Sequence, residues 1–271
     1  MLTSEQIERY SRHFVLKEIG VGGQKRLLSS KVLVIGAGAL GSSALMYLAA
    51  AGVGTIGICD YDCVDLSNLQ RQIIHRSDSV GTSKISSAAK TIEGLNPDVK
   101  IITHNERMTV DNIQDIITQY EFVLDCTDRF ETKFLINDAC VLSKVPYSHA
   151  GVVRFEGQLM TYVPGRGPCL RCLLGGVPPL KDTLTCAQAG VLGAVTGVIG
   201  SIQALEAIKF LLGIGELLVG KVLRFDGLNM QISKTTFAHA DPDCGVCGTN
   251  PTILSLKSNR DEYEPKDCML E

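Results

Sequence analysis

Alternating apolar and amphipathic segments divide the first 150 residues into short strands and helices. Apolar runs at 31–35, 55–60 and 122–126 predict buried strands, and amphipathic segments at 83–95 and 129–143 predict helices. Strands of this kind that alternate with helices are typical of an α/β sheet, mostly parallel and covered on both faces. The same reasoning adds helices at 42–51 and 111–119 and strands at 99–104 and 147–153.

The pattern changes after residue 151. Residues 157–163 alternate between apolar and polar positions, which predicts an antiparallel strand, and 222–226 and 231–237 predict two more. Residues 191–212 predict one long helix. We therefore expect an α/β fold, a Rossmann-like ATP-binding sheet that is mostly parallel, with an antiparallel C-terminal extension. One or two helices at 4–29 precede the sheet, and the polar segment after Cys247 is expected to be loosely held.

Two uncharged stretches, 32–59 and 187–205, are long enough to cross a membrane. The first is interrupted by six glycines and is better explained as strand, loop, helix and strand. The second leads directly into Glu206 and Lys209, which favours a helix buried against the sheet or a partner subunit. We expect no membrane insertion.

Charge and cysteine content narrow the setting of the protein. A net charge of −3 over 271 residues argues against a nucleic-acid-binding surface as the main function. Ten cysteines behind a polar N-terminus indicate a reducing compartment, so we expect a cytoplasmic protein.

Two Cys-x-x-Cys pairs, Cys169/Cys172 and Cys244/Cys247, lie about seventy residues apart. Each pair supplies two thiolates from one tight turn, so together they can close a tetrahedral zinc site. Zinc held in this way would pin two distant segments together, as a structural clamp. A redox pair or four unrelated buried thiols are the alternatives.

A glycine-rich loop directly follows the first predicted strand. Gly36, Gly38 and Gly41 allow a tight turn and close approach of the backbone to phosphate oxygens, and the next helix adds amide donors. Asp60 ends the second strand, where a carboxylate can accept hydrogen bonds from a ribose. This pattern predicts a nucleotide site but does not distinguish a dinucleotide from ATP.

Charged residues downstream of the loop favour a triphosphate. Arg71 and Lys84 suit phosphates better than a hydride carrier, and Asp128 could hold Mg²⁺. These residues are expected at the carboxyl ends of the strands, where such sheets bind ligands.

The chain resembles the E1-like activating enzymes of the MoeB/ThiF/HesA group. The resemblance spans residues 9–248 and lies in the loop 36–41, the run Ser67-Asn68-Leu69-Gln70-Arg71-Gln72, the motif Asp125-Cys126-Thr127-Asp128 and both cysteine pairs. It implies ATP-dependent adenylation of the C-terminal Gly-Gly carboxylate of a small ubiquitin-like sulfur carrier, with ATP, Mg²⁺ and Zn²⁺ as cofactors. It also implies a single adenylation domain at 1–248, with N-terminal helices at 4–29, a nucleotide-binding half at 30–150, a carrier-binding and zinc half at 151–248 and a tail at 249–271.

The resemblance also assigns roles to residues. Arg71 and Lys84 would face the phosphates, Asp128 the magnesium, and Arg12 would reach into the site of a second subunit, so a homodimer is expected. Cys186 matches a position that can form a covalent link to the carrier. The implied nucleotide contacts are Gly36, Gly38, Ala39, Gly41, Asp60, Asp62, Ser67, Asn68, Leu69, Arg71, Gln72, Lys84, Asp128 and Arg129, the last standing where the family usually has asparagine.

Several alternatives to this reading stay open. A nicotinamide-dependent oxidoreductase would explain the glycine loop. Alternatively, the protein could be a relative of these enzymes that uses ATP to activate a small molecule or a tRNA base. An inactive partner subunit is disfavoured by the presence of Arg71, Lys84 and Asp128. The chain shows no rhodanese-like extension, so a separate sulfur donor, a cysteine desulfurase or a rhodanese, is expected. The sequence does not distinguish molybdopterin from thiamine synthesis.

Overall fold

A computed structural model describes residues 1–178 and 189–264. The helices are α1 (Ser4–Arg9), α2 (Ser11–Phe14), α3 (Gly20–Ser29), α4 (Ala39–Ala50), α5 (Lys84–Leu95), α6 (Ile113–Ile117), α7 (Phe130–Leu142), α8 (Leu170–Leu174), α9 (Gly193–Leu212) and α10 (Arg260–Tyr263). The strands are β1 (Lys31–Ile35), β2 (Thr55–Cys59), β3 (Lys100–His104), β4 (Phe122–Asp125), β5 (Tyr147–Val153), β6 (Glu156–Tyr162), β7 (Lys221–Asp226) and β8 (Gln231–Thr236).

The strands form one sheet in the order β3-β2-β1-β4-β5-β6-β7-β8. Strands β1 to β5 pair in parallel, and β6, β7 and β8 continue the sheet in antiparallel pairs. The α/β fold with an antiparallel extension, expected from the sequence, is confirmed. Because all five parallel strands end at the same edge, the segments that follow them meet there.

Both faces of the sheet are covered by apolar side chains. Val32 and Val34 of β1 pack with α4, α5 and α9 on one face, and Leu33 and Ile35 pack with α6 and α7 on the other. All four are buried. This two-sided burial explains why β1 is an uninterrupted apolar run rather than an alternating one.

The long helix α9 has the length and apolar composition of a membrane span. It packs against α4 and against β4, β5 and β6, and half of its most apolar window is buried inside the protein. Glu206 on this helix accepts hydrogen bonds from Thr161 Oγ1 and from the Leu218 amide. These contacts are those of a core helix, which the sequence predicted.

The segment after Cys247 differs from its prediction. Over 249–264 it is packed rather than loosely held, with Ile253, Leu256 and Tyr263 buried against the face of the sheet that carries α7. Arg171 of α8 pairs with Glu262 of this segment. The polar composition concealed three apolar anchors, spaced too irregularly to suggest an element.

Candidate functional site

A cavity of about 880 Å³ opens at the carboxyl edge of the parallel strands. One wall is made by the glycine loop after β1 and by Asp60 and Asp128, which follow β2 and β4. The opposite wall is antiparallel sheet, where Gln158 of β6 is paired with Arg224 of β7. Both halves of the chain therefore line one space.

The glycine loop is shaped by its own close contacts. Gly36 has φ +99°, and a side chain on Gly41 would lie 1.9 Å from the Gly36 carbonyl oxygen, so both positions require glycine. Gly38 precedes α4 and lines the cavity together with Ala39, so the start of the helix is open to a ligand, and a side chain on Gly38 would lie 3.7 Å from Gln72 Nε2. Asp60 Oδ2 accepts a hydrogen bond from the Ala37 amide at 2.8 Å, which joins β2 to the loop.

Cationic side chains line the same cavity. Lys84 at the start of α5 is nearly buried and forms an ion pair with Asp62 at 2.8 Å. Arg71 is held by a hydrogen bond from its Nη1 to the Ser67 carbonyl at 3.0 Å. Gln72 Oε1 is buried without a hydrogen-bond partner among the described residues, so it is available to a ligand. Of the sequence-predicted contacts, the cavity is lined by Gly36, Gly38, Ala39, Asp60, Asp62, Arg71, Gln72, Lys84, Asp128 and Arg129.

Four predicted nucleotide contacts lie beside the cavity rather than on its described lining: Gly41, Ser67, Asn68 and Leu69. Asn68 Oδ1 accepts from the Asp65 amide at 3.3 Å, and Asp65 Oδ1 accepts from the Ser67 amide at 2.7 Å. These bonds shape the short 3₁₀ turn Leu66–Asn68, and the Arg71 amide donates to the Asn68 carbonyl oxygen at its end.

Arg12, one of the predicted site residues, does not line this cavity. Its side chain is exposed on α2. Cys186 lies outside the described residues.

A buried polar cluster that the sequence did not predict lies beneath the cavity. Lys133 Nζ lies 3.2 Å from Asp125 Oδ2, and His149 Nδ1 donates to the same oxygen at 2.8 Å. Burial alone would raise the pKa of Asp125, but the charge of Lys133 and the His149 hydrogen bond hold it well below its usual value. Burial, and then the charge of Lys133, lower the pKa of His149. The available signal was Lys133, a cation in the predicted helix that follows the Asp125 motif.

His75 is a further buried histidine, and it lies behind the glycine loop. Its Nε2 lies 2.9 Å from the Ala37 carbonyl oxygen, and its Nδ1 lies 3.0 Å from Ser87 Oγ. Burial is the main cause that lowers its pKa. The ring therefore supports the glycine loop from below rather than contacting phosphate.

The four cysteines of the two Cys-x-x-Cys pairs converge. Their Sγ atoms all lie within 4.8 Å of one another, with separations of 3.3 Å for Cys172–Cys247 and 3.7 Å for Cys169–Cys244. A tetrahedral zinc with Zn–S bonds of about 2.3 Å places its sulfurs roughly 3.8 Å apart, so the cluster fits that ion. Asn137 Nδ2 lies 3.8 Å from Cys169 Sγ and supports the cluster from α7.

Comparison with known proteins identifies relatives over most of the chain. The model of the ThiF family matches residues 10–246. The adenylyltransferase and sulfurtransferase MOCS3 of Aedes aegypti is 46% identical over 94% of this chain. The SAMP-activating enzyme E1 of Haloferax volcanii is 45% identical and is covered over 91% of both chains. The chain spans 58% of the length of the Aedes aegypti relative.

Solved structures share the fold at lower identity. A crystal structure of E. coli MccB superposes with a TM-score of 0.80 at 22% identity, covering 92% of this chain and 75% of that one. A crystal structure of E. coli MccB with ATP superposes with a TM-score of 0.78 at 23% identity, covering 88% and 74%.

Proposed function

The chain belongs to the ThiF family, and we propose that it adenylates the C-terminal Gly-Gly carboxylate of a small ubiquitin-like sulfur carrier. ATP is the second substrate, and the products are the carrier acyl-adenylate and pyrophosphate. The names of the Aedes aegypti and Haloferax volcanii relatives, an adenylyltransferase and a SAMP-activating enzyme, support this class of reaction. Membership of this family does not favour the oxidoreductase alternative.

The observation that carries the proposal is the single cavity shared by the two halves of the chain. Its inner part, at the glycine loop, offers backbone amides and cations to a nucleotide. Its outer part is walled by β6 and β7, whose polar side chains Gln158 and Arg224 can bind an extended peptide. Its volume of about 880 Å³ lies in the upper part of the range of about 300–1,000 Å³ that is typical of ligand sites.

The reaction requires positioning more than acid–base catalysis. The carrier carboxylate is already ionised at neutral pH, so it can attack the α-phosphorus without a general base. As its oxygen bonds to phosphorus, the bond to the β,γ-pyrophosphate breaks and negative charge develops on the leaving group. Arg71 and Lys84 would stabilise that charge from the cavity wall. Asp60 would orient the ribose.

Two metals complete the proposal. Asp128 presents a carboxylate to the cavity beside Arg129, and hard oxygen donors of this kind fit Mg²⁺. Held there, Mg²⁺ would supply positive charge that offsets the charge of the phosphates. Cys169, Cys172, Cys244 and Cys247 would hold Zn²⁺ as a structural clamp, away from the reacting atoms.

The proposal extends to the domain organisation, the subunit arrangement and the partners of the protein. Residues 1–248 would act as one adenylation domain in a cytoplasmic homodimer, with Arg12 serving the partner's site. A separate cysteine desulfurase or rhodanese would deliver sulfur to the activated carrier. Cys186 is the candidate for a covalent link to the carrier.

The test is ATP–pyrophosphate exchange by the purified protein, with and without a panel of Gly-Gly-ended carriers that includes MoaD-like and ThiS-like ones. Exchange that appears with one carrier only would support the reaction and identify the pathway. ATP binding without exchange for any carrier would contradict the proposal and favour a small-molecule or tRNA substrate, or an inactive partner subunit.

Asp128→Ala supplies the matched test of the site. We expect this variant to lose exchange by about 100-fold or more, as for removal of a group that stabilises transition-state charge, while zinc content and melting temperature are retained. Asp98→Ala, an exposed carboxylate remote from the cavity lining, is the control. Normal turnover by Asp128→Ala would overturn the assignment of Asp128.

A further inference from the structure

Lys133 joins the end of β4 to the middle of β5 beneath the cavity. Its ammonium contacts both oxygens of Asp125, the last residue of β4, at 3.2 and 3.4 Å. It also donates to the carbonyl oxygen of Ala150 in β5 at 2.7 Å. Only 6% of the Lys133 side chain and none of the Asp125 side chain is exposed. His149, paired with Asp125 in the sheet register, completes the cluster.

Stability alone does not account for this ion pair. Removing two charges from water is costly, and apolar residues of similar volume often replace a buried pair without loss of stability. The position of Lys133 is informative, because its side chain reaches the lining of the cavity while its charge is satisfied from below.

The cluster holds the turn that precedes Asp128. Asp125 Oδ1 accepts hydrogen bonds from the Thr127 amide at 3.1 Å and from Thr127 Oγ1 at 2.7 Å. Gln203 of α9 donates to the Asp125 carbonyl oxygen at 3.0 Å. A side chain on Gly36 would lie 2.7 Å from the Cys126 carbonyl oxygen, so the glycine loop rests directly on this turn.

We propose that Lys133 is a positioning residue: by fixing the Asp125 carboxylate against β5, it fixes the Thr127 turn and so the placement of Asp128 against the metal–nucleotide complex. This inference rests on the proposed function, because it takes Asp128 to act on Mg²⁺ beside the phosphates. Lys133 itself need not contact the substrate, since Asp125 and Ala150 already occupy its donors.

The test measures how much Mg²⁺ strengthens nucleotide binding. The dissociation constant of a fluorescent N-methylanthraniloyl ATP is determined once with excess Mg²⁺ and once with EDTA. The constant in EDTA divided by the constant in Mg²⁺ is then compared between variants. Lys133→Met should reduce this ratio by about 10- to 100-fold, the usual effect of removing a group that orients a metal ligand. The dissociation constant measured in EDTA should change little. Lys133→Arg should restore most of it. Lys90→Met, on an exposed lysine of α5, should match wild type.

A double-mutant cycle separates positioning from a general structural effect. In the Asp128→Ala background, Lys133→Met should leave the ratio unchanged, because the residue it positions is gone. An equal reduction in both backgrounds would overturn the inference, as would an unchanged ratio in folded Lys133→Met. If Lys133→Met fails to fold, Lys133→Gln, which keeps a hydrogen-bond-donating amide, is measured in the same way, with the same two contradicting outcomes.

Binding distinguishes this inference from the proposed function. Wild-type protein that binds nucleotide more tightly with Mg²⁺, loses that gain in Lys133→Met, and yet exchanges pyrophosphate with no carrier would refute adenylation and retain the positioning role. Equal wild-type affinities in Mg²⁺ and EDTA would overturn the positioning role, even if exchange were observed.

Discussion

Lys84 occupies a position that a lysine does not favour on local grounds. It begins α5, where the helix dipole opposes a positive charge, and its side chain is only 8% exposed. Asp62 offsets this cost with an ion pair at 2.8 Å. A polyphosphate that enters the cavity offers the ammonium a second, more highly charged partner. Lys84 is therefore placed to bind the nucleotide.

At the same scale, Cys172→Ser tests the metal clamp. Because a hydroxyl is a poor zinc ligand, the variant should lose its metal and, with it, the tie between 169–172 and 244–247. A loss of about 3 kcal/mol in unfolding free energy would lower the melting temperature by roughly 6–12 °C.

Zinc content by elemental analysis and a thermal melt check this expectation together. Cys63→Ser, which changes an exposed cysteine outside the cluster, is the control. Full stability of a zinc-free Cys172→Ser protein would show that the cluster has no structural role.

At the scale of elements, α7 connects the cavity to the cysteine cluster. Near its beginning it carries Lys133, and one to two turns later it carries Asn137 and Asp138. Asn137 Oδ1 accepts a hydrogen bond from the Leu170 amide. Asp138 forms an ion pair with Arg171 of α8, with 2.6 Å between Asp138 Oδ2 and Arg171 Nη2. One helix therefore holds both the nucleotide turn and the segment that bears the first cysteine pair.

The terminal helix α10 is joined to this arrangement by a buried hydrogen bond as well as by the Arg171–Glu262 ion pair. Tyr263 Oη donates to Asp138 Oδ2 at 2.5 Å. Tyr263→Phe removes the donor from a buried carboxylate and should cost about 1–3 kcal/mol of unfolding free energy in urea. Tyr47→Phe, on an exposed ring of α4, should be neutral. A cost below about 0.5 kcal/mol, the scale of an ordinary surface substitution, would mean that α10 is not held by this bond.

Three histidines, of which His75 and His149 are buried and His104 is half-buried, should make the fold sensitive to acid. Burial is the largest cause that lowers the pKa of His75, His104 and His149. The unfolded chain, with a histidine pKa of about 6.5, therefore binds more protons than the folded one, and stability should fall as pH drops below about 6.5. Asp125, whose pKa is also lowered, adds a loss in the same direction at lower pH.

Imidazole resonances followed by NMR would check the cause directly, because zinc release in acid also lowers stability. We expect three histidines to titrate below pH 6.5 and urea midpoints to decrease from pH 7.5 to 5.5. A stability that stays level over this range would contradict the burial argument.

Features defined by a pattern within one segment could be predicted from the sequence, whereas features formed by tertiary contacts could not. The strands, the glycine loop, Asp60 and both cysteine pairs were predicted because each is written in spacing within one segment. The Lys133–Asp125–His149 cluster was not, since His149 joins it only through the pairing of β4 with β5. The packing of 249–264 was not predicted for the same reason. Its apolar residues Ile253, Leu256 and Tyr263 are buried only through contacts with segments distant in the sequence, α7 and α8 among them.

At the scale of the whole molecule, the N-terminal helices present an exposed apolar surface. Ile7, Val15, Leu16 and Val21 have between 46% and 74% of their surface exposed. A monomer gains nothing from such exposure, whereas a symmetric dimer would bury it. Arg12 is exposed on α2 and lies between Ile7 and Val15 in the sequence, so an interface formed by these helices would carry its side chain towards the second copy.

Mixed dimers test whether Arg12 acts on the partner's site. Arg12→Ala and Arg71→Ala should each be inactive in pyrophosphate exchange. When the two are unfolded and refolded together in equal amounts, half of the dimers are mixed, and each mixed dimer has one site with Arg71 from one subunit and Arg12 from the other. Exchange should therefore recover to about one quarter of the wild-type rate. If Arg12 served its own subunit, every site in the mixture would lack one arginine and no activity would return, so the amount recovered distinguishes the two arrangements.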